Sequence, residues 1–321
     1  MKRKIVDRPS GFEIAASLES FTSEYAYSGS PKTEAFYRNQ LGTLRDYLAR
    51  AGLTLLGDVT ADTIRLYLKE QSRSTYVRRG QSEPRTLARS TLIQRYAAAR
   101  TFFQWCVDEG RLDVSPMVNV KRPKEEHRIR EALDREQFRI LVQNAAAGPG
   151  WIGLRDKAIL LLLLDTGARA SELLGMGERC IDWRAGQVVL HGKGSKDRVM
   201  DLAPETRRAI RAYLQHPKRP KLPGDPVWVT LRRRAMGYGA LNAMIHAMEG
   251  YAGLDTRVTP HRFRHTFAAE FTRANLGNVK ATKERLGHSK IATTERYIES
   301  LGGGYGLGES FKTPAASWGI T

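Results

Sequence analysis

Cysteine is nearly missing from this chain of 321 residues, and the two present, Cys106 and Cys180, belong to no CxxC or CxxxH spacing. That excludes a disulfide framework and argues against a structural zinc site. Long apolar runs are missing too. The longest aliphatic stretch, Ala158 to Leu164, falls far short of the roughly 20 residues a helix needs to cross a bilayer. Behind Met1-Lys2-Arg3-Lys4-Ile5 there is no apolar segment of signal-peptide length. The expectation is a protein of the reducing cytoplasm with no membrane partner. Acid is the remaining shortage: 34 Asp+Glu face 52 Lys+Arg, for a net charge of +18. Residues 1–131 and the remainder are each basic, as two domains that both touch a polyanion would be.

What is present reads mostly as helix. Residues 11–27 carry Ile14, Leu18, Phe21 and Tyr25 at helical spacing, with Ser10 and Glu13 spaced as a capping box. Ser30-Pro31 opens a second helix with the stripe Tyr37, Leu41, Leu44, Leu48, Ala51, closed by Gly52. Thr60 caps a third helix bearing Ile64, Tyr67 and Leu68. Between Gln71 and Arg100 stand Arg73, Arg78, Arg79, Arg85, Arg89, Arg95 and Arg100 against the single acid Glu83. Arg78 to Pro84 reads as a loop. A fourth helix from about Leu87 turns Leu92, Tyr96, Ala99, Phe103 and Cys106 inward and Arg89, Arg95 and Arg100 outward. A solvated helical face would account for these arginines. A surface that tracks phosphates accounts for them and for the lack of interleaved acid, with Arg78, Arg79, Arg85, Arg89, Arg95 and Arg100 as DNA-binding candidates.

Residues 121–131 are charged without apolar periodicity and read as a linker between a helical domain, 1–120, and a second domain, 132–300. Asp134 with Gln137 restarts helix. Residues 154–164 are too uniformly apolar for a surface helix and should be core. A helix to about Gly175 follows Thr166-Gly167-Ala168-Arg169. Strand candidates come next at Cys180–Trp183, Val188–Leu190 and Arg198–Leu202, with Gly192-Lys193-Gly194-Ser195 as a hairpin turn. From Pro204 onward helix is expected again. Residues 301–321 are glycine-rich and read as a tether with two apolar anchors, Phe311 and Trp318.

The candidate chemical groups are individually ordinary. Arg169 opens a helix, with Glu172 one turn on as a partner that could hold its guanidinium. Lys193 sits in a glycine turn, and Lys196 is equally placed to serve. His261, Arg264 and His265 share one helical face. His288 follows Gly287, a natural helix terminator, and Tyr297 lies nine residues further on. A metal site on His261 and His265 lacks a third ligand at suitable spacing.

As an ordered set these residues resemble the tyrosine recombinases, or phage integrase family. The segments that carry the likeness are Thr166-Gly167-Ala168-Arg169-Ala170-Ser171-Glu172-Leu173, Gly192-Lys193-Gly194-Ser195-Lys196, Thr259-Pro260-His261-Arg262-Phe263-Arg264-His265 and Leu286-Gly287-His288-Ser289. The resemblance implies a mainly α fold with a small antiparallel β-sheet, built as a helical core-binding domain plus a mixed α+β catalytic domain. It chooses Lys193 over Lys196. It implies that Tyr297 attacks a phosphodiester to form a 3′-phosphotyrosyl bond, with Arg169 and Arg264 on the non-bridging oxygens and His288 adding a hydrogen bond. His261 would take the phenol proton and Lys193 would protonate the leaving 5′-hydroxyl. Glu172 would support Arg169. Cations stand where a metal otherwise would, and the covalent bond conserves the phosphodiester energy, so no cofactor is expected. The implied partners are double-stranded DNA and three further copies, a homo-tetramer on two sites, with room for an accessory protein or second recombinase. The family's tail docks on a neighbouring protomer; here the tail, 301–321, leaves open whether Phe311 or Trp318 is the anchor and whether it docks in cis or in trans, and the protein would sit with the nucleoid. A type IB topoisomerase and a non-catalytic DNA-binding regulator are the competing readings.

Overall fold

The computed structural model describes residues 11–28, 31–77, 82–124, 132–192, 197–250, 257–275, 278–287 and 313–319. The chain divides into two compact units, Met1–Arg128 and Ile129–Thr321. Each has its own apolar core, and no described helix is long and apolar enough to cross a membrane.

The first unit is built on four helices: α1 (Ile14–Ser28), α2 (Pro31–Arg50), α3 (Ala61–Arg73) and α4 (Arg89–Asp108). Ile14, Leu18 and Phe21 from α1 and Leu41, Leu44 and Leu48 from α2 are buried, as the helical spacing requires. Phe21 is the centre of this core, with the rings of Tyr25, Tyr37, Phe102 and Trp105 edge-on within 5.5 Å. Thr60 caps α3 by accepting from the Thr63 amide at 3.2 Å. Ser10, the expected cap of α1, lies outside the described residues, and Glu13 is engaged in a bridge to Leu55 that pins the start of α1. Two expectations need revision. Ala51 is exposed, because α2 ends at Arg50 and the chain turns through Gly52 at φ 71°. The expected loop, Arg78 to Pro84, is shorter at its end, because Pro84 opens a strand: β1 (Thr75–Val77) pairs antiparallel with β2 (Pro84–Thr86), Tyr76 opposite Arg85. Its connection, 78–81, lies outside the described residues.

In the second unit α5 (Arg135–Ala146) starts at the Asp134–Gln137 capping box. It packs on α6 (Gly150–Thr166), where every residue from Ala158 to Leu164 is buried. A helix apolar on all sides has to be surrounded, and α6 is: α5, α8 (Pro204–Leu214) and α10 (Pro260–Ala274) all lie against it. Short α7 (Ala170–Leu174) leads to a three-stranded antiparallel sheet of β3 (Ile181–Asp182), β4 (Gln187–Leu190) and β5 (Arg198–Asp201), in that order. Val188 faces Met200, and both are buried. Helix does not resume without a break after Pro204. Between α8 and α9 (Tyr238–Glu249) the chain is irregular, since Pro217, Pro220, Pro223 and Pro226 remove the amides a helix would need. Buried Trp228 stacks there on Tyr213, at 5.7 Å. The Tyr213 hydroxyl donates to the Val227 carbonyl at 2.9 Å.

Helix α6 ends at Gly167, left-handed at φ 55°. A methyl added there would lie 2.6 Å from Cδ1 of Phe267 on α10 and 3.1 Å from Leu286, the last residue of α11 (Val279–Leu286). Only glycine supplies both the backbone angle and the room. At the other end of the chain a turn of helix, α12 (Pro314–Trp318), packs on α6, α8 and α10 of its own unit. The Trp318 indole donates to Glu270 at 3.0 Å, and the Ala315 amide donates to Asp165 at 3.3 Å. Asp165 also accepts from the Ala203 amide and the Thr206 hydroxyl. Burial pushes its carboxyl up to about 6 in spite of those donors. Phe311, the other expected anchor, lies outside the described residues. Trp318 packs within its own unit, the cis arrangement of the two that the sequence leaves open.

Gly167→Ala is expected to destabilise the protein by about 1–3 kcal/mol more than Gly150→Ala, the usual cost of overpacking. Gly150 is equally left-handed at φ 53°, but an added methyl there meets nothing within 4 Å. Urea unfolding of the two variants measures the difference directly.

Candidate active site

Arg169 occupies the N-cap position of α7. Its own amide donates to Glu172 Oε2 at 2.8 Å and its Nη1 to Glu172 Oε1 at 2.6 Å, so one carboxylate caps the helix and holds the guanidinium. Glu172 is buried, with its side chain 2% exposed, whereas that of Arg169 is 43% exposed. A second arginine shares the carboxylate. Arg198, on β5, donates Nη1 to Oε1 and Nη2 to Oε2, both at 2.7 Å. Burial alone would raise the Glu172 carboxyl. The Arg198 fork and the Arg169 amide outweigh it and hold the group down to about 2, so it is an anion at any neutral pH.

Arg264 comes from the second turn of α10, a helix started by Pro260 and by the Thr259 hydroxyl, which accepts from the Arg262 amide at 3.3 Å. Its guanidinium is buried and bridges two helix ends. Nη1 donates to the Gly167 carbonyl at 2.7 Å, and Nη2 donates to the Leu286 carbonyl at 2.6 Å. Those carbonyls terminate α6 and α11, whose C-terminal partial charge is negative, so a cation is favoured there twice over. Arg169 reaches the same seam, its Nη2 lying 3.4 Å from the Gly287 carbonyl. Gly287 ends α11 at φ 63°. His261 is exposed at the start of α10, and His265 is half-buried on the same helix.

Of the six proposed reacting groups, the structure therefore brings Arg169 and Arg264 to one seam, with His261 on the helix that carries Arg264. Lys193, His288 and Tyr297 lie outside the described residues. On either side of that lysine in the chain, His191 and Asp197 are paired at 2.9 Å. The part played by Arg198 went unnoticed in the sequence. The signal was available, because strand alternation puts Arg198 on the same face as buried Met200 while Val199 points out. A cation on an inward face asks for a partner.

In the first unit Arg85, Arg89 and Arg100 are exposed. Arg95 is not outward as expected. It is half-buried and its guanidinium donates to Gln71 on α3. Arg78 and Arg79 lie outside the described residues. Arg65 and Lys69, one turn apart on α3, join Arg89 and Lys121 around a groove of about 560 Å³ that the sequence did not single out.

Residues 131–302 match the model of the phage integrase family, and residues 18–110 match that of the phage integrase N-terminal SAM-like domain. The chain is 31% identical over 268 residues to tyrosine recombinase XerC of Pseudomonas syringae pv. syringae (strain B728a), covering 84% of this chain and 85% of that one. It is 28% identical to XerC of Actinobacillus pleuropneumoniae serotype 7 (strain AP76), covering 84% and 83%. The fold is similar to that in the crystal structure of a lambda integrase dimer bound to a COC′ core site, with a TM-score of 0.70 at 18% identity, covering 94% of this chain and 81% of that one. The XerH site-specific recombinase bound to palindromic difH substrate, in a post-cleavage complex, gives 0.70 at 16% identity, covering 89% and 81%. The chain belongs to the phage integrase family.

Glu172→Gln is expected to lose stability at neutral pH. A group whose folded value is depressed contributes fully above its ordinary value of 4.5, and that contribution disappears as pH falls towards about 2. The gap in unfolding free energy between wild type and variant should close over that window. Denaturant titrations at pH 7 and at successively lower pH check it.

Proposed function

We propose that this enzyme is a site-specific DNA recombinase that cuts a strand with Tyr297, holds it as a 3′-phosphotyrosyl ester, and rejoins it to a partner strand. The observation that carries the reading is the meeting of Arg169 and Arg264 at the carbonyls of Gly167, Leu286 and Gly287, with His288 the next residue in the chain. Two guanidiniums at one seam suit the pentacoordinate phosphorane of an in-line attack, whose extra negative charge they offset. Each arginine is oriented before DNA arrives, by Glu172 in one case and by two helix ends in the other.

In this mechanism Arg169 and Arg264 bind the non-bridging oxygens, and His288 adds a hydrogen bond to them. His261 accepts the proton of Tyr297, whose phenol, with a pKa of about 10, is a weak nucleophile near neutrality until it is deprotonated. Lys193 donates a proton to the departing 5′-oxygen. Attack by the 5′-hydroxyl of another strand reverses the step, with His261 and Lys193 exchanging roles. No metal or nucleotide takes part. The helical unit, residues 1–120, contributes Arg78, Arg79, Arg85, Arg89 and Arg100 to the DNA backbone, with Arg95 bracing α3 from behind. Residues 121–131 link it to the catalytic domain, 132–300. Four copies act on two sites in the cytoplasm, and either an accessory protein or a second recombinase can complete the assembly.

Nicked duplexes from the DNA flanking its own gene, mixed with the protein in EDTA, are expected to give a covalent protein–DNA adduct on a denaturing gel. Tyr297→Phe should abolish the adduct and leave DNA binding intact. Tight binding with no adduct from the wild type would favour the regulator reading. Cleavage that appears only when Mg²⁺ is restored would overturn the mechanism.

A further inference from the structure

Glu172 is a fully occupied acceptor in the second unit. Its two oxygens take four donors, two from Arg169 and two from Arg198, between 2.6 and 2.8 Å. A carboxylate offers about four lone-pair sites, so this one is full. Its side chain is 2% exposed, and that of Arg198 is 11% exposed. Arg198 thus faces the carboxylate from the protein side while Arg169 faces it from the solvent side, with 43% of its side chain accessible. Arg198 also sits on the strand that follows Lys193 in the chain, and its Nη1 lies 3.7 Å from where a side chain on Gly287 would begin.

The arithmetic of charge matters here. Two guanidiniums and one carboxylate leave a net single positive charge, and it resides on the exposed partner. Without Arg198, the buried carboxylate would have Arg169 as its sole close cation. Half its lone pairs would be empty, and a buried anion short of donors draws the remaining cation onto itself. Arg169 would then be neutralised one-to-one and pulled away from the position a phosphate oxygen would meet.

We infer that Arg198 is a positioning residue for strand cleavage: by forking onto Glu172 it offsets that carboxylate and leaves the guanidinium of Arg169 available to the scissile phosphate. The inference rests on the assignment of Arg169 in the proposed function. Arg198 itself does not touch DNA. It acts through Glu172, and its effect belongs to the chemical step and not to binding.

The test is single-turnover cleavage of the nicked duplex by full-length protein, with the dissociation constant for the same DNA measured in parallel. Arg198→Gln is expected to slow adduct formation by about 10- to 100-fold, the size of loss that follows small misplacement of a catalytic group. Its affinity for DNA should stay within about two-fold of wild type, since the variant removes no phosphate contact. Arg198→Lys, which keeps the charge but not the fork, should recover part of the rate. The decisive variant is Glu172→Gln in the Arg198→Gln background. If Arg198 works by offsetting the carboxylate, removing that charge gives back part of the lost rate. A brace that merely ties β5 to α7 predicts the opposite, a double variant slower than either single one.

Adduct formation by Arg198→Gln at the wild-type rate would overturn the inference while leaving the recombinase reading intact. So would a double variant whose losses simply multiply. A wild type that forms no adduct would overturn the recombinase reading and this inference with it. Should Arg198→Gln fail to fold by circular dichroism, comparing Arg198→Lys and the double variant with Glu172→Gln alone decides the matter by the same criteria.

Discussion

The closeness of α10 to Gly167 is the constraint on which the site depends. Phe267 packs where a side chain on residue 167 would be, and Leu286 closes the third side. That contact brings the ends of α6 and α11 together, and the guanidinium of Arg264 then ties the carbonyls of Gly167 and Leu286. Arg169, two residues beyond Gly167, is placed by the same turn. Packing between apolar groups thus sets the positions of two cations that lie far apart in sequence. The buried core of α6 supplies the rigidity, since a helix enclosed by three others has no easy path along which to shift.

Charge is organised with equal care. The chain is strongly basic, yet at the seam the arginines are held by acceptors chosen for position: a filled carboxylate for Arg169 and two helix C-termini for Arg264. Such preorganisation is what allows positive charge to stabilise a developing anion without first rearranging solvent or side chains. The cost of burying Glu172 is met by Arg198, so the electrostatics of the site extend from α7 through the sheet. Asp201 on the same strand pairs with Arg285 of α11 at 2.8 Å, a second tie between the sheet and the helix that ends at Gly287.

The tail shows how different uses can be made of one helix. Asp165, next to the end of α6, accepts the amide of Ala315 from α12 and the amide and hydroxyl that open α8. Trp318 fills the space beside Phe138 and donates to Glu270. The packing around α6 is therefore completed by residues from the far end of the chain. Where that segment packs within one chain, it supports the same helix whose C-terminus positions Arg169.

Much of this was legible in the sequence. Spacing predicted the four helices of the first unit and their inward residues, the Asp134 cap, the buried run of α6 and the three short strands, because periodicity and capping are local properties of the chain. The ordered Arg, Lys, HxxR, GH and Tyr pattern carried the family likeness. Other features were settled only by tertiary contact. Pairing turned a presumed loop at Pro84 into a strand. Arg95 turned inward because Gln71 of another helix offered it an acceptor. Arg198 became part of the site because folding brought it from β5 to Glu172 of α7. Sequence records which side chains lie on one face of an element; which groups then meet across elements depends on long-range packing, and that is where the acceptors of Arg169, Arg198 and Arg264 were decided.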